Sequence, residues 1–235
     1  MTVILITGAS RGIGLEFTRQ YASEGADVIA CCRTPAKAEK LQALANTYKT
    51  IRIEALDVTD TKSIAALAAK LKDVVIDILI NNAGIISGDR GKDDGTQNFG
   101  SIDPEAWDRV LRTNTIAPIL MAQSFLPHLA RSKERKVAMI TSKMGSIADM
   151  GDGYIAYRTS KAALNAAMVA ISHDLKAQNI AIANLHPGWV KTDMGGAGAQ
   201  VEPEISVRGM RKVIDGLTLA KTGQFLGYDG TVIAW

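Results

Sequence analysis

Cysteine is scarce in this chain of 235 residues: there are two, Cys31 and Cys32. Adjacent cysteines cannot bridge without a strained ring, so both are expected to be free thiols in a reducing compartment. No Cys-x-x-Cys spacing accompanies them, and no metal is expected. An excess of charge of one sign is also missing. Lys and Arg total 27 against 24 Asp and Glu, and a net +3 is too small for a nucleic-acid footprint. Long hydrophobic runs are missing too. Val3-Ile4-Leu5-Ile6 is short and has no basic flank, unlike a signal peptide. Residues 113–130 carry no formal charge, but Asn114, Pro118, Gln123, Pro127 and His128 interrupt them, which reads as a buried helix and not a membrane span. A cytoplasmic location is expected.

What is present is globular: 47% hydrophobic and 22% charged residues exclude a disordered or fibrous chain. At this length roughly 70% of the unfolded surface can be buried, enough for a core without disulfide or metal staples. Branched apolar runs begin at Val3, Val28, Ile51, Val74, Val137 and Ile180, and they are continuous, as in strands covered on both faces. The first four start 25, 23 and 23 residues apart, the length of a strand plus a helix.

Helical patterns fill the gaps. Ile13, Phe17 and Tyr21 recur every four residues and stop at Gly25. Leu41 and Leu44 lie in a helix opened by Pro35, and Asp60 caps one carrying Ile64, Leu67 and Leu71. Longer helices are expected over about 104–131 and 154–178, and a last one around Met210, Val213, Ile214 and Leu217. Strand-helix alternation throughout predicts a Rossmann-type, doubly wound parallel α/β sheet with helices on both faces, in one domain spanning 1–235. Two glycine-rich segments, 87–100 and 193–200, break the rhythm after strands. There open α/β sheets bind ligands.

The first strand runs into Thr7-Gly8-Ala9-Ser10-Arg11-Gly12-Ile13-Gly14 and then a helix. Glycines permit a tight turn and close approach of a phosphate, and the helix N-terminus adds unpaired N–H donors and partial positive charge. A dinucleotide pyrophosphate fits this chemistry. A mononucleotide P-loop would need a Lys after the last glycine, and none is there. Gly8-Ala9-Ser10-Arg11-Gly12 also matches a hydrolase nucleophile elbow, but only nine residues precede Ser10, too few for the strand loop of an oxyanion hole. Asp57 with Val58, and Asn82-Ala83-Gly84, end the third and fourth strands on the same edge. Asp57 is placed to bond an adenine amino group, and Asn82 to bond backbone between strands.

Farther on, Thr141-Ser142 ends the fifth strand and Tyr157-Arg158-Thr159-Ser160-Lys161 comes after it. On a helix Tyr157 and Lys161 are i and i+4 and share a face. A neighbouring ammonium stabilises phenolate, so Lys161 is expected to hold the Tyr157 phenol below its ordinary value near 10. Ser142 can bond the same carbonyl oxygen. Tyr154 has Arg158 at i+4, which cannot serve as a tunable ammonium.

In order, Thr7-Gly8-x3-Gly12-x-Gly14, Asn81-Asn82-Ala83-Gly84, Asn114, Ser142, Tyr157-x3-Lys161 and Pro187-Gly188 resemble the signature of the short-chain dehydrogenase/reductases, compact branch. The resemblance covers nearly the whole chain. It implies a catalytic tetrad of Asn114, Ser142, Tyr157 and Lys161, with Thr192 and the backbone near Val190 holding a nicotinamide carboxamide. The end, Phe225-Leu226-Gly227-Tyr228-Asp229-Gly230 onward, is similar to the sniffer and C-factor type carbonyl reductases. Together these likenesses imply an oxidoreductase that reduces a carbonyl to an alcohol, with Tyr157 as general acid/base. The rival is a cofactor-binding signalling or redox-sensing protein with incidental catalysis. An intact Ser142, Tyr157 and Lys161 argues against it, since a pure binder needs none of them.

Cofactor choice is read at the second strand's end, where Val28-Ile29-Ala30-Cys31-Cys32-Arg33 puts Cys32 at the place of an NAD-selective acid. Arg33 and Arg11 are expected to meet a 2′-phosphate, and the cofactor is expected to be NADP (NADPH). Ile85, Ile86, Met144, Tyr154, Trp189 and Met194 are expected to make an apolar substrate pocket for a small uncharged molecule. A homodimer is expected through the helices over 104–131 and 154–178.

Overall fold

The computed structural model describes residues 1–87 and 95–235. Its strands are β1 (Val3–Thr7), β2 (Asp27–Cys32), β3 (Ile51–Ala55), β4 (Ile78–Asn81), β5 (Lys136–Ile140), β6 (Ala181–His186) and β7 (Gln224–Gly227). They form one parallel sheet of order β3-β2-β1-β4-β5-β6-β7. The chain starts in the middle, builds outward through β2 and β3, then returns to pair β4 against the free side of β1. That reversal leaves a crevice at the C-terminal ends of β1 and β4, where doubly wound sheets take their ligands.

Continuous apolar runs now have a physical explanation. Ile4, Ile6, Val28, Ala30, Ile78, Ile80, Ala138 and Ile140 point to one face. There they meet Phe17 and Tyr21 of helix α1 (Gly12–Ser23), Leu41 of α2 (Glu39–Thr47), and Met210 and Ile214 of α7 (Pro203–Asp215). Their neighbours Leu5, Ile29, Leu79, Val137 and Met139 point the other way, onto α3 (Thr61–Lys70), α5 (Ala117–Ala130) and α6 (Ile155–Ala177). Both faces are covered, so both sets of alternating positions must be apolar.

Local signals set several helix ends. The Asp60 carboxylate accepts from the Lys62 amide at 2.9 Å, and Asp103 accepts from Glu105 at 2.9 Å to start α4 (Pro104–Leu111). Gly25 follows α1 in a left-handed conformation at φ +84°. Four expectations are corrected. Pro35 opens a 3-10 turn, Pro35–Lys37, and α2 begins only at Glu39. The fourth strand starts at Ile78, because Val74 turns back on α3 with its amide donating to Leu71 at 2.8 Å. β3 ends at Ala55, before Asp57 and Val58. A seventh strand was not expected. Its apolar signal is the pair Phe225-Leu226, and its edge is covered by the chain end, Gly227 donating to Thr231 and Ile233 to Phe225.

The helix expected over 104–131 is interrupted by a π-helical segment, Arg112–Ile116. Pro118 is the physical reason. It lacks the N–H that would bond the Asn114 carbonyl in an α register, so the turn widens around Asn114.

Candidate active site

The glycine turn is held by hydrogen bonds across the sheet. The Asn82 side chain donates to the Thr7 and Gly8 carbonyls at 3.0 and 3.1 Å, while Thr7 Oγ1 accepts from the Asn82 and Ala83 amides, both at 3.0 Å. Gly8 has φ +67°, and a Cβ there would lie 2.9 Å from Ala83 Cα. A Cβ on Gly14 would collide with the Gly8 carbonyl and lie 2.5 Å from Asn82 Nδ2. Only glycine allows the β1 turn, the Asn82 segment and α1 to pack this closely.

Above this turn lies a cleft of about 370 Å³, within the range of small-molecule sites. Gly8, Ser10, Arg11, Gly12 and Ile13 form its floor, and Arg33, Asp57 and Val58 one end. Asn82, Ala83, Gly84, Tyr157, Lys161, Pro187 and Thr192 line it as well. The Thr192 methyl lies against the glycine turn, 3.3 Å from where a Cβ on Gly12 would sit. Three of the expected cofactor positions do not line it. Gly14 is packed inside the turn, Gly188 lies against the Tyr228 ring, and Val190 is buried in a bridge with Val201.

The expected catalytic residues are all buried: Asn114, Ser142, Tyr157 and Lys161. Tyr157 and Lys161 line the cleft; Ser142 and Asn114 are not among its lining residues. Burial pushes the Tyr157 phenol above its ordinary value, with a hydrogen bond from Ser142 opposing that rise. The Lys161 ammonium is 5.8 Å from the phenol ring centre and donates to the Ile140 carbonyl at 2.9 Å. Burial pushes Lys161 down to about 8. The expected lowering of Tyr157 therefore does not hold in this structure: removal from water raises the phenol, and what opposes that rise is Ser142.

Asn114 is locked by its side chain, which accepts from the Ile85 amide at 2.9 Å and donates to the Ile85 carbonyl at 2.7 Å and to Ser160 Oγ at 3.0 Å. Ser160 Oγ in turn donates to the Tyr157 carbonyl at 2.7 Å. A Cβ on Gly84 would lie 3.3 Å from Asn114 Oδ1 and 3.7 Å from Lys161 Nζ, so this glycine lets the two side chains approach.

Of the six apolar residues expected at the substrate end, Ile85 and Met194 line the cleft. Trp189 instead donates to the Gly195 carbonyl at 2.8 Å and is half exposed, and Met144 sits in the turn after Ser142. Tyr154 precedes α6 with φ +51°, and Ile86 is likewise off the cleft. Arg11 and Arg33 both line the cleft, and Arg11 also pairs with Asp193 at 3.6 Å, between two exposed side chains. Arg33 has no ion-pair partner among the described residues. Arg109, Arg112 and Thr113 also line the cleft and were not expected. They sit where α4 passes into the π segment, a placement that spacing along the chain does not signal. Residues 88–94 of the segment expected to bind ligand lie outside the described residues.

A covered parallel sheet with a glycine turn at its reversal point defines a Rossmann-type α/β protein. The chain belongs to the short-chain dehydrogenase family, whose model matches residues 2–202. Among curated relatives, C-signal of Myxococcus xanthus is 43% identical over 161 residues, covering 68% of this chain and 93% of that protein. Among solved structures, the NADPH-bound carbonyl reductase from chicken fatty liver superposes with a TM-score of 0.91 at 37% identity, and the carbonyl reductase Sniffer of D. melanogaster with 0.89 at 34%. Both cover 100% of each chain. These likenesses agree with the resemblance read at the C-terminal end. No helix among the described residues is long and apolar enough to cross a membrane.

Proposed function

We propose that this chain is an NADPH-dependent reductase that converts a ketone, aldehyde or quinone to its alcohol. The observation that carries this reading is the buried Ser142, Tyr157 and Lys161 cluster at the edge of a cleft floored by the glycine turn. NADPH fits the residues present: glycines that admit a pyrophosphate, no acid at Cys32 to repel a 2′-phosphate, and an exposed Arg33 on the cleft wall. Arg11, Asp57, Val58, the segment 82–84, Pro187 and Thr192 would hold the rest of it. When bound, that cofactor supplies hydride to the carbonyl carbon.

Tyr157 gives a proton to the carbonyl oxygen. A phenol pushed above its ordinary value keeps its proton at neutral pH, the state a donor needs. Ser142, whose hydroxyl opposes the rise of the Tyr157 phenol, would orient the carbonyl oxygen beside it. Lys161 places a positive charge that favours the phenolate left after transfer, and Asn114 anchors the Ile85 segment and Ser160 around them. The test is Tyr157→Phe, expected to keep less than a few per cent of the wild-type rate of carbonyl reduction with cofactor binding intact. A faster variant overturns the mechanism. No turnover across aldehydes, ketones and quinones, with tight NADPH binding, favours a signalling role instead.

Residues 1–235 would act as one unit, in the cytoplasm and as a homodimer. Support for pairing is Ile116, 45% exposed on the helix that carries the π segment. A sedimentation mass near the chain's 25.1 kDa at micromolar concentration overturns it.

A further inference from the structure

The helix that carries Tyr157 and Lys161 begins badly by local rules. Gly153 and Tyr154 are both left-handed, at φ +62° and +51°, and Tyr154 at the N-cap offers no side-chain cap. The first amides of a helix have no partner within it, and without one a first turn frays. Here the partner comes from some sixty residues upstream. The Gln97 carbonyl accepts from the Ile155 amide at 3.1 Å, and Gln97 Oε1 accepts from the Tyr157 amide at 2.9 Å. Gln97 is 1% exposed.

The segment around it is firmly seated. Ser101 Oγ donates to the Gly95 carbonyl at 2.7 Å, and the Asp103 amide donates to Thr96 at 3.0 Å, tying it to the start of α4. A Cβ on Gly153 would lie 3.3 Å from Asn98 Oδ1, so the same segment rests against the turn into α6. Helix α4 docks on α6 through Trp107 Nε1 donating to Thr159 Oγ1 at 3.0 Å. Because a backbone N–H requires an acceptor, the Gln97 amide must present its oxygen, which turns Nε2 away. That Nε2 is buried with no partner among the described residues.

We propose that Gln97 is a positioning residue: it caps the catalytic helix from outside and so fixes where the Tyr157 hydroxyl sits relative to Ser142 and the cleft. The inference rests on Tyr157 being the proton donor. A displacement of about 1 Å at a reacting group can lower a rate by about a hundredfold, so a frayed first turn should act on the chemical step and not on cofactor affinity.

The test compares Gln97→Met, which keeps the length and removes the acceptor, with Gln97→Glu, which keeps an acceptor oxygen and lacks the unpaired donor. Gln97→Met is expected to lower kcat at least tenfold with KM and the NADPH dissociation constant within twofold of wild type. Gln97→Glu is expected to recover at least half of the lost kcat. Amide hydrogen exchange at Tyr157 should speed up at least tenfold in Gln97→Met and stay slow in Gln97→Glu. A Gln97→Met kcat within twofold of wild type overturns the proposal, as does an equal loss in both variants. If Gln97→Met does not fold, exchange in the wild-type protein decides: a Tyr157 amide as slow as the helix interior supports the cap, and one as fast as an exposed loop overturns it. Tyr157→Phe run in parallel separates the two readings. An active Tyr157→Phe sinks the role of Tyr157 alone and leaves the exchange result standing, whereas an inactive one beside a fully active Gln97→Met sinks the role of Gln97 alone.

Discussion

Lys161 lies one turn beyond Tyr157, its ammonium 5.8 Å from the phenol ring centre and bonded to the Ile140 carbonyl. The two groups shift in opposite directions for one reason: each loses water, so the phenol resists losing its proton and the ammonium resists keeping its own.

That shift predicts a pH-dependent penalty. In the folded chain Lys161 is pushed down to about 8, from 10.5 when exposed, so between these values the unfolded state binds more protons and stability rises with pH. Below about 8 the penalty is fully present. Lys161→Met should therefore be more stable than wild type at pH 7, by roughly 1–3 kcal/mol, while losing activity. The gap should narrow towards pH 10.5. Urea unfolding of both proteins at pH 7 and pH 10 measures it, and a constant gap contradicts the shift.

Arg33 and Cys32 should set cofactor choice. Arg33→Ala is expected to raise the NADPH KM at least tenfold and leave the NADH KM nearly unchanged, since a charge-assisted bond to phosphate contributes about 1.5–3 kcal/mol. Cys32→Asp should favour NADH by adding a carboxylate beside the 2′ position. Equal catalytic efficiency of the unmodified protein with both cofactors would contradict this reading.

Asn82 supports the glycine turn without belonging to the chemistry. Asn82→Ala leaves the Thr7 and Gly8 carbonyls without their side-chain donor. Expected effects are a loss of roughly 1–3 kcal/mol in stability and at least a tenfold weaker NADPH affinity, read by chemical denaturation and cofactor fluorescence titration.

Asp193 pairs with Arg11 at the cleft, between exposed side chains, and so competes with an incoming phosphate for that guanidinium. Exposed pairs contribute little and are screened by salt. Asp193→Asn should thus lower the NADPH KM only about two- to fivefold, with the gain shrinking between 0.05 and 0.5 M salt. An NADPH KM that rises instead assigns Asp193 a direct part in binding.

Much of the site was legible because its rules are local. The turn from Thr7 to Gly14 needs glycines wherever backbone meets backbone, and Tyr157 and Lys161 share a face by helical spacing alone. Asp60 caps α3 from the adjacent residue. The continuous runs that announced a covered parallel sheet reflect alternating side chains that are apolar on both faces. The weak points were equally local. Val74 belongs to a branched run as much as Ile78 does, and only Asp77, which accepts from the Val3 amide, shows where β1 and β4 pair.

Strand-helix order along the chain thus announces the fold class, and the glycine turn and the Tyr157–Lys161 spacing are legible because each depends on residues within a few positions of one another. Packing settles the rest. Gln97 reaches the Tyr157 amide, Arg11 meets Asp193, and Arg109, Arg112 and Thr113 reach the cleft only once the chain has packed, α4 on α6. The direction of the Tyr157 shift also waits on packing. Desolvation depends on everything around a group, and no spacing along a chain encodes how much water the fold will remove.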